Sequence, residues 1–223
     1  MARTGTQPAD PPANCCLCPR LVAFRRESQV KQPDWFNGAV SSFGDPKARL
    51  LIVGLAPGLS GANRTARPFT GDFAGDLLYQ TLAEQGFSTG TYDRRVDDGL
   101  NLVDCRITNA VRCVPPQNKP IAAEIRTCRQ FLMGQLAGLP RPRAILALGR
   151  IAHDSLLKTL ALPQAAYSFG HNARHDLGDG RILYDSYHCS RYNTNTRRLT
   201  VEMFQAVFAG IRADLDALAP DGI

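Results

Sequence analysis

Short apolar runs in this chain alternate with longer stretches in which apolar residues return every three or four positions. Residues 49–55 read as a strand, and residues 107–111, 144–148 and 181–184 read as three more. Between the first two, residues 75–85 predict a helix with Leu77, Leu78, Thr81 and Leu82 on one face and Gly86 as its C-cap. Residues 120–136 predict another, opened by Pro120, which suits a first helical position. A third spans residues 150–160. A long closing helix covers residues 199–218, with Met203, Val207, Ile211 and Leu215 spaced along one face. Strands separated by helices imply a parallel sheet covered on both faces. Right-handed crossovers bring every strand-to-helix loop to one edge of it. That edge collects residues 54–74, 109–119, 149–151 and 185–198, and ligands of open α/β sheets bind there.

The pattern gives an α/β fold class and a single domain over residues 15–218. Its first part, up to residue ~45, is read as an extension wrapped on the rest. Residues 1–14 are rich in Pro, Ala and polar residues, which predicts a disordered lead-in, and they contain no apolar signal segment. No apolar run approaches a membrane span, so a cytoplasmic monomer is expected. The most unusual stretch is residues 54–74, a loop long enough to mark a functional segment. It is filled with Gly, Asn, Arg and Thr.

Charge adjusts this picture modestly. The formal net charge is +6 and the sequence pI about 9.1, which favours a polyanionic partner. Of the 26 basic residues only four are lysines, Lys31, Lys47, Lys119 and Lys158. Arginine suits bidentate phosphate contacts, although a compositional bias would give the same count.

Seven cysteines in a chain with no secretory signal point to metal ligation or free thiols. Cys15 and Cys18 form a CxxC. Cys128 shares the predicted face of Ile121, Ile125 and Leu132, and Cys113 ends the strand before that helix. Four converging thiolates would bind zinc or an iron–sulfur cluster; spacing alone leaves the metal open. It also allows Cys113 and Cys128 to be ordinary buried thiols, or Cys16 to replace Cys15.

Four segments in order are specific: GLAPGLSGANRTARPFTGDFAGD, ITNAVRCVPPQNKP, AILALGRIA and YHCSRYNTNTRRLT. With the cysteines they resemble the uracil-DNA glycosylase superfamily, and closely its type-b, family-five group, from residue 15 to about residue 205. The family-four enzymes carry an acidic residue just after the first Gly of the first motif; here that position is Leu55. The resemblance implies a three-layer α/β/α fold around a four-stranded parallel sheet. It implies a structural 4Fe–4S cluster on Cys15, Cys18, Cys113 and Cys128. It further implies hydrolysis of the N-glycosidic bond of uracil, and of other deaminated bases, in double-stranded DNA, leaving an abasic site.

That chemistry requires a base flipped out of the duplex, a negative group near a cationic sugar and donors near the base oxygens. Asp72 is the candidate carboxylate, though its position before a helix also suits an N-cap. His188 is the candidate donor to the uracil carbonyl; His153, His171 and His175 read as structural or exposed. Phe69 is the candidate stacking ring, Asn109 the candidate reader of the base edge, and Asn118 a further polar catalytic position. Backbone groups of Ala56 and Gly58 line the expected pocket. Phosphate contacts are expected from Asn63, Arg64, Thr65 and Arg67, and from Ser190, Arg191, Asn193, Thr194, Asn195 and Thr196, with Arg191 a candidate wedge. Lys119 is the one lysine near a site loop, so a monofunctional enzyme without lyase activity is expected. The alternatives are a non-catalytic iron–sulfur protein that binds damaged or single-stranded DNA and, more weakly, a nucleotide enzyme using residues 54–61 as a phosphate loop. That segment lacks the Lys-Ser/Thr ending of a P-loop.

Overall fold

Four strands are buried at every position: β2 (Leu50–Gly54), β5 (Cys105–Asn109), β6 (Ala144–Leu148) and β8 (Ile182–Ser186). Such strands need cover on both faces. The computed structural model describes residues 10–140 and 142–217. In it these strands pair in parallel in the order β5-β2-β6-β8, with Ile52 opposite Ile107 and Leu146, and Leu146 opposite Tyr184. Two antiparallel edge strands, β1 (Phe43–Gly44) and β7 (Arg174–Asp176), widen the sheet to six. A separate small hairpin joins β3 (Ser88–Thr89) to β4 (Asn101–Leu102).

The period of two along each strand sorts side chains into two cores. Leu50, Ile52, Ile107, Leu146 and Tyr184 face α3 (Phe73–Glu84) and α7 (Val201–Ala217), packing with Leu78, Leu82, Phe204, Phe208 and Ile211. Leu51, Val53, Ile145, Ala147 and Leu183 face the other way. They meet Leu132 and Leu136 of α4 (Ala122–Gly138) and Leu156 and Leu157 of α5 (Arg150–Thr159). Each such buried Val, Leu, Ile or Phe side chain contributes about 1.5–3 kcal/mol. The result is the expected three-layer arrangement, with two edge strands added.

Several boundaries move. The second long strand lies at Cys105–Asn109 rather than 107–111, so Cys113 sits in the loop beyond it. The long loop after β2 contains a single helical turn, α2 (Ala62–Thr65). Helix α4 begins at Ala122, with Ile121 as an exposed cap residue and Pro120 outside. The closing helix is described to Ala217, and Leu218 lies outside the described residues. Helix α1 (Pro19–Lys31) gave no periodic signal because its buried positions are Leu21, Arg25 and Ser28, only one of them apolar.

The expected lead-in needs correction. Residues 1–9 lie outside the described residues, but residues 10–14 are tied down. The Asp10 carboxylate accepts from the Arg112 guanidinium at 2.7 Å, the Ser42 hydroxyl at 2.8 Å and the Gln135 amide at 3.0 Å. The Ala13 carbonyl accepts from Arg25 Nη1 at 2.6 Å and from the Ala39 N–H. The domain therefore starts by residue 10. Its N-terminal segment is docked through buried arginines, whose partners sequence periodicity does not reveal.

Candidate active site

The loops after β2, β5 and β8 enclose a cavity of about 650 Å³ at the carboxyl edge of the sheet. Nine residues singled out from sequence line it: Ala56, Gly58, Phe69, Asp72, Asn109, Asn118, His188, Ser190 and Arg191. Leu55, Pro57, Ser60, Gly71, Phe73 and Ala74 complete the wall.

Asp72 is the N-cap of α3, with extended backbone, and its Oδ1 accepts from the Gly75 N–H at 3.3 Å. Capping and lining the cavity are thus compatible. The first loop passes so close behind the carboxylate that a Cβ on Gly61 would stand 2.2 Å from Oδ2, and one on Gly58 2.9 Å. Burial raises the Asp72 pKa above its ordinary value, against the opposing effect of the Gly75 and Ala74 N–H groups.

His188 lies 5.8 Å from the Phe69 ring, centroid to centroid, at an interplanar angle of 28°. Burial pulls its pKa down to about 4. At neutral pH the imidazole is therefore uncharged, with one N–H to donate. Its backbone is fixed from both sides: Asn193 Nδ2 donates to the His188 carbonyl at 2.8 Å, and the neighbouring Cys189 thiol donates to the Ala74 carbonyl at 3.4 Å. Asn109, at the end of β5, is buried, and its Oδ1 has no partner in the protein. Gly54 makes room for it: a Cβ there would meet Asn109 Oδ1 at 2.4 Å and Phe69 Cζ at 2.7 Å. A buried acceptor left without a partner is costly, and Asn109 is one of the residues that line the cavity.

The expected phosphate contacts divide. Arg64 and Arg191 are exposed, the latter with its guanidinium 5.3 Å over the Phe73 ring. Asn63 is fully buried and donates to Asn37 Oδ1 at 2.9 Å. Arg67 is buried and paired with Asp98 at 2.6 Å. The Thr65 hydroxyl donates to the Thr70 carbonyl at 3.0 Å, inside its own loop. These three spend their polar groups inside the protein, holding the loop. Asn193 likewise orients His188. Ser190, Asn193, Thr194, Asn195 and Thr196 form or flank a short helix, α6 (Arg191–Asn195), whose N-cap is Ser190.

A second cavity of about 260 Å³ shares His188 with the first and adds Gly149, Arg150, Phe169, Tyr187, Asn193 and Arg198. Arg150 lies 5.1 Å over the Phe169 ring and Arg198 4.6 Å over that of Tyr187. Sequence reasoning missed these exposed cations. The available signal was Gly149-Arg150 directly after the third long strand, on the edge where the other loops gather.

The family model of the Uracil DNA glycosylase superfamily matches residues 41–212. A Type-5 uracil-DNA glycosylase of Thermus thermophilus is 48% identical over 199 residues, covering 86% of this chain and 90% of its own length. Another from Pyrobaculum aerophilum is 39% identical over 209 residues, covering 92% and 91%, and one from Mycobacterium bovis is 40% identical over 203 residues, covering 87% and 75%. The chain belongs to the type-5 group of the uracil-DNA glycosylase superfamily.

In this type-5 family member the four expected cysteines lie together beside the loops after β2 and β5, in a group against which Ala56 packs. Cys15, Cys18, Cys113 and Cys128 line one enclosed space together with Leu21, Val111 and Phe131; Cys16 is exposed and outside it. Cys18 caps α1, and Arg20, one residue into that helix, donates to both oxygens of the buried Glu124 at 2.7 and 2.8 Å. That pair pins the CxxC to α4, which carries Cys128. The Arg112 N–H donates to Cys128 Sγ at 3.3 Å. Arg25 Nε and Arg112 Nε and Nη2 are buried without a partner. No three of the four sulfurs lie within 4.8 Å of one another; among the described residues the one group of possible ligands that compact is His153, His175 and Asp185. His153 itself is fully buried, which fits the structural role read from sequence.

Proposed function

We propose that this chain hydrolyses the N-glycosidic bond of uracil in DNA and leaves an abasic site. The observation that carries the reading is that Asp72, His188, Phe69 and Asn109 line one cavity at the sheet edge. A base rotated out of the duplex fits there against Phe69. Uracil offers an N3–H to Asn109 and a carbonyl oxygen to the neutral His188.

As the bond between C1′ and N1 lengthens, positive charge grows on the sugar and negative charge on the departing base. The Asp72 carboxylate faces the first and holds the attacking water; the His188 N–H stabilises the second. A donor placed for a developing oxyanion contributes about 2.7–4 kcal/mol. Water adds its oxygen to C1′, its proton passes to Asp72, and the base departs as the anion. No lysine lines the cavity, since Lys119 is exposed just outside it, and this supports hydrolysis without a lyase step.

The same reading extends to double-stranded substrates and to other deaminated bases, as the type-5 resemblance implies. It also includes a 4Fe–4S cluster on Cys15, Cys18, Cys113 and Cys128. Two observations support this. The four thiols share one enclosed space. Buried Arg donors with no protein partner suit an anionic cluster. When bound, the cluster supplies cross-links between the N-terminal segment, the loop after β5 and α4. A non-catalytic binder would have no use for a half-buried carboxylate and a neutral imidazole in one cavity.

The test is release of free base from duplexes carrying uracil, hypoxanthine or xanthine, with borohydride added to a parallel sample. Release of uracil without a trapped protein–DNA adduct supports the reading. Tight, salt-sensitive binding with no base released overturns it.

A further inference from the structure

Phe69 and Asp72 stand on one short segment whose backbone is unfavourable. Ala66 and Phe69 sit at φ 68° and 53°, and Gly71 at 92°. Left-handed backbone costs a non-glycine residue roughly 1–2 kcal/mol and persists only where the surroundings impose it. Here the imposing groups come from behind, from α3 and residues 92–98.

The Tyr79 hydroxyl donates to the Pro68 carbonyl at 2.6 Å. Arg67 reaches Asp98 with both terminal nitrogens at 2.9 and 2.6 Å, and its Nε donates to the Thr70 hydroxyl at 2.7 Å. The guanidinium lies 5.2, 5.6 and 5.8 Å from the rings of Phe43, Tyr79 and Tyr92. Asp98 is locked in turn by the Asp93 and Leu100 N–H groups at 2.9 and 3.1 Å. The Tyr92 hydroxyl accepts from the Gly71 N–H and donates to the Phe69 carbonyl, each at 3.3 Å. It thus spans the two residues on either side of Thr70. Gly75 belongs to the same device. A Cβ there would meet the Phe69 carbonyl oxygen at 1.8 Å and the Tyr92 hydroxyl at 2.5 Å, so a glycine inside α3 lets the loop and its strut close.

We infer that Tyr92 and Asp98, neither of which lines the cavity, are positioning residues that hold Phe69 and Asp72 in reactive geometry. This rests on the roles given above to those two residues. Asp98 fixes Arg67 and, through it, the base of the loop. Tyr92 fixes the turn between the stacking ring and the carboxylate. Loosening either lets the segment relax out of its left-handed backbone and admits water to Asp72.

The experiment compares the full, cluster-loaded chain with Tyr92→Phe, Asp98→Asn and, as control, Asp72→Asn. The readouts are kcat and KM for a uracil duplex across pH, and the melting temperature. Tyr92→Phe keeps the ring against Arg67 and Tyr79 and removes only the hydroxyl. It is expected to lower kcat about ten- to a hundredfold with KM little changed. It should also move the acidic limb of the rate profile to lower pH, because a better-hydrated Asp72 loses its proton more readily. Charged or titratable groups around that carboxylate are Asp76, Tyr92 and Cys189, with Arg64 beside Gly71 and His188 and Arg191 in the wall of the same cavity. Asp98→Asn should show the same rate loss with a lower melting temperature. Wild-type kcat and an unmoved profile in Tyr92→Phe overturn the inference, as does a loss confined to KM or to melting temperature. Should Asp98→Asn fail to fold, Tyr92→Phe decides alone. Full activity in Asp72→Asn would instead remove the reading of the site on which the inference rests.

Discussion

Asp72 meets two demands that pull apart. The proposed reaction needs its charge, and burial disfavours it. Its folded-state pKa is raised by burial. Stability from this group is therefore fully present below the unfolded value and is lost as pH rises through the higher folded value. It is therefore the ionised form of the carboxylate that costs stability. Asp72→Asn is accordingly expected to raise the melting temperature at pH 7 while cutting the single-turnover rate by at least ~100-fold. Calorimetry beside rapid-quench kinetics checks both signs. His188 sets no limb near neutrality, because burial holds it uncharged down to about pH 4. The rate should thus fall on the acid side with Asp72 alone, at a pH above that of an ordinary aspartate. His188→Ala should lose about 10²–10³ in rate without moving that limb. These two residues were legible because a motif marked them. Arg67 was misread for the opposite reason: its partner Asp98 is 31 residues away, and a buried ion pair leaves no local signature.

At the scale of elements, the site depends on glycines that let backbone and carboxylate pass. Gly61→Ala places a methyl group 2.2 Å from Asp72 Oδ2, so it should lower activity more than stability, measured as rate against urea midpoint. Strand β8 delivers His188 and is braced below it. His153 Nδ1 lies 2.7 Å from the buried Asp185 Oδ1, and its Nε2 lies 2.9 Å from the Tyr167 carbonyl. Burial lowers the His153 pKa, but Asp185 and the Tyr167 carbonyl outweigh this and hold it above the ordinary value. The stability of this brace is complete below the unfolded pKa of ~6.5 and is lost as pH rises through the folded one. The melting temperature should decline above neutrality, and Asp185→Asn should flatten that decline. The four parallel strands were readable as largely apolar runs. Helix α1 and the edge strands were not: the first buries Arg25 and Ser28, and the others span two or three residues.

The whole molecule combines a six-stranded sheet, an arginine-rich edge and a cysteine-lined space. Its formal net charge is +6, and the exposed Arg64, Arg150, Arg191 and Arg198 lie on or beside the cavity edge. Replacing Arg150 or Arg198 by Ala should weaken duplex binding regardless of sequence and reduce the salt slope by about one for each phosphate no longer neutralised; fluorescence anisotropy across salt concentrations measures both. Pure protein should be brown, with about four irons per chain; Cys113→Ser should lose iron and stability together. That Cys15, Cys18, Cys113 and Cys128 line one space was expected from the resemblance. The docking of residues 10–14 and of α1 was not, because it runs through Asp10, Arg25, Arg112 and Glu124, polar residues that sequence patterns assign to solvent.

Single-turnover release of uracil from a duplex at about pH 7.5, wild type beside Asp72→Asn, bears most directly on the role of the buried carboxylate. The wild type should release the base rapidly. The variant should fold and bind DNA normally yet react at least ~100-fold more slowly. Equal rates in the two proteins, or no release by either, would contradict a carboxylate-assisted hydrolysis at this cavity.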